Sequence, residues 1–257
     1  MAKYLFQNRI RKGKDLMIIG KGDCLYKLPN LSDSLALDIF VNGIYEEETH
    51  EFLLNRIETN GLFLDLGANI GSITIPLCKK REDISCVAVE AAPWIFNYLN
   101  FNIEINGLKD RVQTVNKAIT DKEGGQLPFY SPVEKFGKGS LSPLFTEEAI
   151  MVDRVTIDTL LRKFHPGKSV SMIKIDIEGF EYFAFQGGKM LLQSQHAPDI
   201  ILEFVFWAEE QADVGKGAAQ RLLQEWGYNL FLMDGNKLIP LEAPLIEGGG
   251  LIFASKK

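Results

Sequence analysis

Asp65 lies within an apolar run, Phe63-Leu64-Asp65-Leu66, that leads straight into the turn Gly67-Ala68-Asn69-Ile70-Gly71-Ser72. Glycines at both ends of the turn let the backbone bend tightly and let a ligand approach without a Cβ in the way. A second apolar run, Val87-Ala88-Val89, ends on Glu90, ~20 residues past the turn. A carboxylate at that place can accept hydrogen bonds from both hydroxyls of a ribose. Ribose occurs in nicotinamide dinucleotides and in S-adenosylmethionine (SAM), and glycine spacing separates the two. The dinucleotide fingerprint has a middle glycine for close approach of the pyrophosphate, and the run 67–71 lacks it. SAM carries no phosphate and loses nothing by that. The expected cofactor contacts are therefore Asp65, Gly67, Asn69, Gly71, Ser72, Glu90 and Ala91. Asp65 is placed near the ammonium of the methionine part, directly or through water. Asn116, at the end of a third strand, is a further cofactor candidate, and Trp94 or a neighbour such as Phe96 is a candidate to lie against adenine.

A second constellation follows in Ile173-Lys174-Ile175-Asp176-Ile177-Glu178-Gly179-Phe180-Glu181. In a strand, Lys174, Asp176 and Glu178 alternate with isoleucines and share one face. Buried charges are costly unless paired, so mutual pairing near the open strand end is expected, with Lys174 as the ion-pair partner. Glu203 ends another apolar run, Ile200-Ile201-Leu202. Asp176, Glu178 and Glu203 are the candidate catalytic residues, each able to act as a base toward an acceptor hydroxyl. Glu181 falls in the first turn of the next helix, where negative charge is favourable in any case. The same carboxylates could instead hold Mg²⁺, which prefers oxygen ligands. No metal site is assigned, because His50, His165 and His196 form no ligand pattern and Cys24, Cys78 and Cys86 have no metal-ligand spacing.

These runs together resemble the FkbM family of SAM-dependent methyltransferases over roughly residues 40–205. The resemblance rests on Gly43-Ile-Tyr45-Glu46, the 63–71 turn, Val89-Glu90-Ala-Ala-Pro93, Val155-Thr-Ile-Asp158-Thr-Leu, and above all the 173–181 run. It implies a seven-stranded sheet and, usually, O-methylation of small molecules, sugars or natural-product scaffolds. It also implies that the segment bearing Tyr45 and Glu46 packs over the cofactor, so both are added to the cofactor candidates. Two other readings are a nicotinamide-dependent oxidoreductase and a non-catalytic SAM-binding protein.

The elements that must position these residues follow from the pattern. Leu62–Leu66, Ser85–Glu90, Val112–Asn116, Val170–Ile177 and Ile200–Phe204 read as buried strands. They are separated by helices over Ser72–Lys80, Pro93–Asn106, Tyr182–Gln193 and Glu209–Trp226. Near-continuous apolar strands between helices predict a Rossmann-like, mostly parallel sheet covered on both faces. Pro76 is expected to strain the first of these helices. Tyr228–Met233 and Leu251–Ala254 read as a hairpin across the glycines at 248–250. Residues 1–60 read as an N-terminal cap, with strands at Leu16–Ile19 and Leu35–Val41 and a helix over Glu46–Ile57; residues 61–257 form the main domain. Residues 124–157, rich in Gly, Pro and Ser, interrupt the alternation as an insertion, either a lid or a mobile loop.

The 257 residues are 46% hydrophobic and 24% charged, an ordinary globular balance with a net charge of −6. That sign speaks against a general nucleic-acid binder. Arg9, Arg11, Lys12 and Lys14 make a small basic cluster read as a solvated edge. An odd number of cysteines suits a reducing compartment. No secretory pattern or membrane-length apolar run is evident. The expectation is a cytoplasmic protein acting on a small-molecule acceptor, without nucleic-acid or membrane partners.

Overall fold

The computed structural model describes residues 15–164, 169–235 and 237–257. The basic cluster at 9–14 and His165 lie outside the described residues. Five apolar runs become neighbouring parallel strands: β3 (Leu62–Leu66), β4 (Ser85–Val89), β5 (Val112–Val115), β9 (Val170–Ile175) and β10 (Asp199–Val205). Preceding them are β1 (Leu16–Ile19) and β2 (Leu25–Leu28), an antiparallel pair. Three strands at the end of the chain, β11 (Asn229–Asp234), β12 (Lys237–Pro240) and β13 (Gly249–Ser255), extend the central sheet antiparallel. Its order is β12-β11-β13-β10-β9-β3-β4-β5. The sheet is Rossmann-like, with eight strands among the described residues rather than seven, β12 adding a short edge.

Side chains alternate across the sheet and sort the core into two layers. Phe63, Cys86, Ala88, Met172 and Ile201 pack with Leu35, Phe52, Ile75 and Leu99 on one face. Leu64, Leu66, Ile173, Ile175 and Leu202 pack with Leu160, Phe185 and Leu223 on the other. The helices of the first face are α1 (Ser34–Asn42), α2 (Glu47–Arg56), α3 (Thr74–Lys80) and α4 (Pro93–Ile105). Those of the second are α5 (Ile157–Phe164), α6 (Glu181–Gln186), α7 (Lys189–Leu192), α8 (Phe206–Gln211) and α9 (Ala218–Glu225). No described helix is long and apolar enough to cross a membrane.

Several sequence expectations are corrected. Leu35–Val41 is helical, not a strand. Asp33 caps α1 by accepting from the Leu35 N–H at 2.9 Å, and Gly43 ends it in the left-handed region at φ 78°. Caps at both ends outweigh the β-branched content. Pro76 causes no kink because α3 starts at Thr74 and Pro76 falls in its first turn, where the N–H has no intrahelical partner to lose. The expected helix 182–193 is two short ones, α6 and α7. At the break a Cβ on Gly187 would lie 2.1 Å from the Thr120 carbonyl oxygen. The expected helix 209–226 is likewise split into α8 and α9 by a segment with positive φ at Asp213 and Gly217. Strand β11 does pair with β13, but its hairpin partner is β12, and the glycines near 248–250 open β13 instead of forming the turn. Strand β9 stops at Ile175, two residues early.

The 124–157 interruption contains β7 (Gln126–Tyr130) and β8 (Ala149–Val155), which form a small sheet with β6 (Ala118–Ile119). Residues 131–148 between β7 and β8 form a strap. The Tyr130 and Ser140 backbones exchange hydrogen bonds of 2.8 and 3.0 Å across it.

The order of the parallel strands reverses between β3 and β9: β4 and β5 lie on one side, β10 on the other. In open α/β sheets the crevice for a ligand lies outside the strand ends at such a switch point. Asp65 and Lys174 are register partners across this junction.

Candidate active site

At the switch point lies a pocket of about 1040 Å³ counting its open mouth, lined by residues from β3, β4, β9, β10, α1 and the strap. The backbone turn that forms its floor is fixed by glycine. Gly67 has φ 87°, and a Cβ there would sit 2.0 Å from the Asp176 carbonyl oxygen. The Asp176 N–H also donates to the Leu66 carbonyl at 3.0 Å, so the two strand ends are drawn together. Gly71 serves packing, since its missing Cβ makes room for Ile75 and Leu99. It does not line the pocket. Ser72 does, and its carbonyl meets His50 Nε2 at 3.1 Å. Burial lowers the His50 imidazole to about 4, so it is neutral at physiological pH.

Asp65 is fully buried at the pocket floor. Its Oδ2 accepts from Thr74 Oγ1 at 2.5 Å, while Oδ1 has no hydrogen-bond partner among the described residues. Burial pushes its carboxyl above the ordinary range, opposed by the Lys174 ammonium and the Thr74 bond. Glu90 stands on the other side of the turn. Its Oε2 accepts from the Asn69 N–H at 3.1 Å and its Oε1 from the Ala92 N–H at 2.8 Å. Burial raises the Glu90 carboxyl to about 7 against those bonds. Asn69, in the left-handed region at φ 51°, also lines the pocket and donates from Nδ2 to the Phe136 carbonyl of the strap. Ala91 lines the pocket as well.

Asn116 serves differently. Its Nδ2 donates to the carbonyls of Glu90 (2.8 Å) and Ala91 (2.9 Å), which fixes the segment carrying Glu90 from behind. It is not a lining residue, and neither are Trp94 and Phe96. Trp94 donates to Ser131 Oγ and packs edge-on against Tyr98. The apolar walls come instead from Leu35, Ala118, Ile119, Phe129 and Phe136. Tyr45 lines the pocket near the acids, and burial pushes its hydroxyl well above the ordinary range. Glu46 sits just behind, at φ 50°, with Oε2 buried and without a hydrogen-bond partner among the described residues, and lines a neighbouring hollow with Glu47 and Thr49.

Past β9 the chain brings the three candidate catalytic acids together. One carboxylate oxygen from each of Asp176, Glu178 and Glu203 lies within 4.8 Å of the others. Parallel pairing explains this: Ile201 of β10 is the register partner of Lys174, and two residues further along each chain come Glu203 and Asp176. Lys174 Nζ pairs with Asp176 at 3.3 Å. Burial works against the Asp176 charge, but the Lys174 ammonium, a bond from Glu203 and the Lys138 charge hold its carboxyl below the usual range. The neighbouring Asp176 charge, with burial, pushes Glu203 up to about 9. A proton shared by this pair therefore resides on Glu203. Glu178 adopts φ 53° and is buried; burial and Asp176 raise its carboxyl, opposed by Lys138 and Lys174. Glu181 takes no part in the cluster, since its Oε1 accepts from the Ile177 N–H at 3.0 Å and holds the turn into α6.

Lys138, which the sequence did not single out, reaches Glu178 Oε1 at 2.7 Å from the strap. With it the site holds Asp65, Asp176, Glu178 and Glu203 against Lys138 and Lys174. Glu90 and Lys117 line the same pocket, and even with a proton on Glu203 the carboxyl groups outnumber the ammonium groups, which suits a cationic ligand. Two ammonium groups stand on Glu178 and Asp176, and one oxygen from each of the three acids also lies close enough to the others to share a cation.

A family model described as the methyltransferase FkbM domain matches residues 65–230. The methyltransferase sdnD of Sordaria araneosa is 23% identical over 174 residues, covering 56% of this chain and 67% of that protein. Among solved structures, the precorrin-6y C5,15-methyltransferase of Geobacter metallireducens GS-15 aligns at 16% identity and a TM-score of 0.48, over 83% of this chain and 90% of that one. TYW2 of M. jannaschii, solved in complex with AdoMet, aligns at 16% identity and a TM-score of 0.44, over 94% and 85%. The family model spans well over half of the chain and takes in Asp65, the glycine turn, Glu90 and the acid cluster, and the chain belongs to the FkbM methyltransferase family.

Proposed function

We propose that this methyltransferase uses SAM and transfers its methyl group to a hydroxyl of a small molecule, such as a sugar or a natural-product scaffold. One observation carries the reading: a single pocket joins the Gly67 turn, Asp65 and Glu90 at one side to Asp176, Glu178 and Glu203 at the other. The residues fit SAM. The buried, unpartnered Asp65 Oδ1 suits the ammonium of the methionine part. Glu90 keeps lone pairs beyond its two backbone bonds, enough for ribose hydroxyls. The net negative site suits the sulfonium.

When bound, SAM supplies a methyl group already activated by positive sulfur. The chain's residues hold the acceptor in line, exclude water and receive its proton. Alignment and desolvation carry most of the rate. An ionised Asp176, kept so by Lys174 and by the proton that Glu203 carries, accepts the hydroxyl proton as the oxygen–carbon bond forms and the carbon–sulfur bond breaks. Charge stays balanced, because the proton gained by the carboxylate replaces the sulfonium charge that is lost.

Isothermal titration with SAM, its demethylated product S-adenosylhomocysteine and NAD tests the cofactor assignment. Binding of the first two but not NAD is expected; no heat at millimolar SAM would overturn it. Mass-spectrometric screening of hydroxylated acceptors with methyl-labelled SAM then tests the oxygen assignment, and label found only on nitrogen would refute it.

A further inference from the structure

The strap 131–148 is tied down on several sides. Asn30 Nδ2 donates to the Val133 carbonyl at 2.9 Å, Asn69 Nδ2 to the Phe136 carbonyl at 3.1 Å, and the Gly137 N–H to Asp33 Oδ2 at 2.8 Å. Ser142 Oγ donates to the Gln211 carbonyl at 3.0 Å. Phe136 is buried beneath it. These bonds seat the strap without any help from Lys138. The Lys138–Glu178 pair is therefore an addition to a segment already held, and it is lopsided. The Glu178 side chain is 3% exposed and that of Lys138 37%. Solvent can accommodate a lone Lys138, whereas a lone Glu178 charge has no water to turn to.

We propose that Lys138 is a positioning residue for methyl transfer: it fixes Glu178 Oε1 and leaves Oε2, which has no protein partner among the described residues, to hold a second polar group of the acceptor. The inference rests on the reading of the pocket given under the proposed function. The groups around Glu178 make the dependence specific. Asp176 opposes its charge, and Lys174 is already paired with Asp176. Lys138 is the cation bonded directly to it. The unusual backbone at Glu178 supports a dedicated placement. A left-handed glutamate followed by Gly179 at φ 96° turns the side chain back under the strap, and the Ser140 hydroxyl approaches the Glu178 carbonyl at 3.4 Å. Two strap residues thus converge on one acid.

Lys138→Met keeps the aliphatic stem and removes the charge. In protein labelled with carboxyl-carbon-13 glutamate, with Glu178 assigned by Glu178→Gln, the titration midpoint of Glu178 should rise by about one unit or more in the variant, since an opposite charge in contact shifts a carboxyl by about 1–3 units. Lys138→Arg should return it. Amide exchange at Gly137 and Ser140, and affinity for S-adenosylhomocysteine, should stay within about threefold of wild type, because the bonds that do not involve Lys138 still seat the strap. An unmoved Glu178 midpoint overturns the proposal. Faster exchange across 136–142 in Lys138→Met also overturns it, since Lys138 would then be a latch of the strap. Wild-type protein that binds no S-adenosylhomocysteine would instead refute the cofactor reading, and the Glu178 titration would still decide the role of Lys138.

Discussion

Glu90→Ala separates what the carboxylate does for the ligand from what it costs the fold. Glu90 is only 7% exposed, and each oxygen already accepts one backbone N–H. Its carboxyl lies at about 7 in the folded protein against an ordinary 4.5. The folded state therefore binds the proton more tightly than the unfolded chain. Stability falls as pH rises from about 4.5 to about 7, and it stays lower above that. The displacement corresponds to about 3 kcal/mol of cost in holding the buried charge at pH 8. Truncation removes that cost but leaves the Asn69 and Ala92 N–H groups without their acceptor, at about 1 kcal/mol each where water can enter the open pocket. The two nearly cancel at pH 8, so the ligand-free variant should unfold within about 1–2 kcal/mol of wild type there. At pH 5 most of that cost is absent, and the variant should be about 1 kcal/mol less stable than wild type. Binding behaves differently. Two hydrogen bonds from ribose to a charged acceptor contribute about 1.5–3 kcal/mol each, so SAM affinity at pH 8 should drop by at least about 100-fold. Denaturant unfolding at both pH values and isothermal titration with SAM read the two effects separately. Unchanged SAM affinity would refute the ribose assignment, and a stability loss larger at pH 8 than at pH 5 would refute the buried-charge argument.

Asp176→Asn should lower turnover by about 100-fold or more while leaving SAM affinity within a few-fold; wild-type turnover in single-turnover assays would remove Asp176 as the proton acceptor. The same substitution should bring the Glu203 midpoint down from about 9, because the Asp176 charge is the largest cause holding it there. A carbon-13 carboxyl titration with Glu203 unmoved would contradict that pairing. Gly67→Ala places a Cβ 2.0 Å from the Asp176 carbonyl oxygen at a positive φ. It should cost at least about 2 kcal/mol of stability, together with SAM affinity; a wild-type melting temperature would refute the close-approach reading. Asn116→Ala removes the two bonds behind Glu90 and should cost about 1–2 kcal/mol while weakening SAM only modestly. Loss of SAM binding as severe as in Glu90→Ala would show Asn116 to be a direct contact.

The parts of the molecule legible in its sequence were those governed by local pattern. Buried parallel strands are continuous apolar runs, so β3, β4, β9 and β10 could be read together with the acids at their ends. The sequence offered Asp176, Glu178 and Glu203 as separate candidates at strand ends, and parallel register is what brings Asp176 and Glu203 together. Misreadings came where a local signal had two meanings. Leu35–Val41 is rich in strand-forming residues, and only its caps, Asp33 and Gly43, disclose the helix. Gly187-Gly188 and the 213–217 segment break helices that apolar spacing would continue. Asn116 and Gly71 have the residue types of ligand contacts but serve the backbone and the packing beneath the site. Lys138 was out of reach for another reason. Its partner lies 40 residues away, and the strap's path depends on tertiary bonds. The single local hint is a cation set between Gly137 and Gly139, which give the strap room over Asp33 and Phe129.

The central claim is that the Gly67 turn, Asp65 and Glu90 hold SAM with its reactive end toward Asp176, Glu178 and Glu203. A crystal structure with S-adenosylhomocysteine bound tests it most directly. The account predicts both ribose hydroxyls on Glu90, the methionine ammonium beside Asp65, and the sulfur facing the acid cluster. A ribose bound elsewhere, or a sulfur turned away from those three acids, would contradict it.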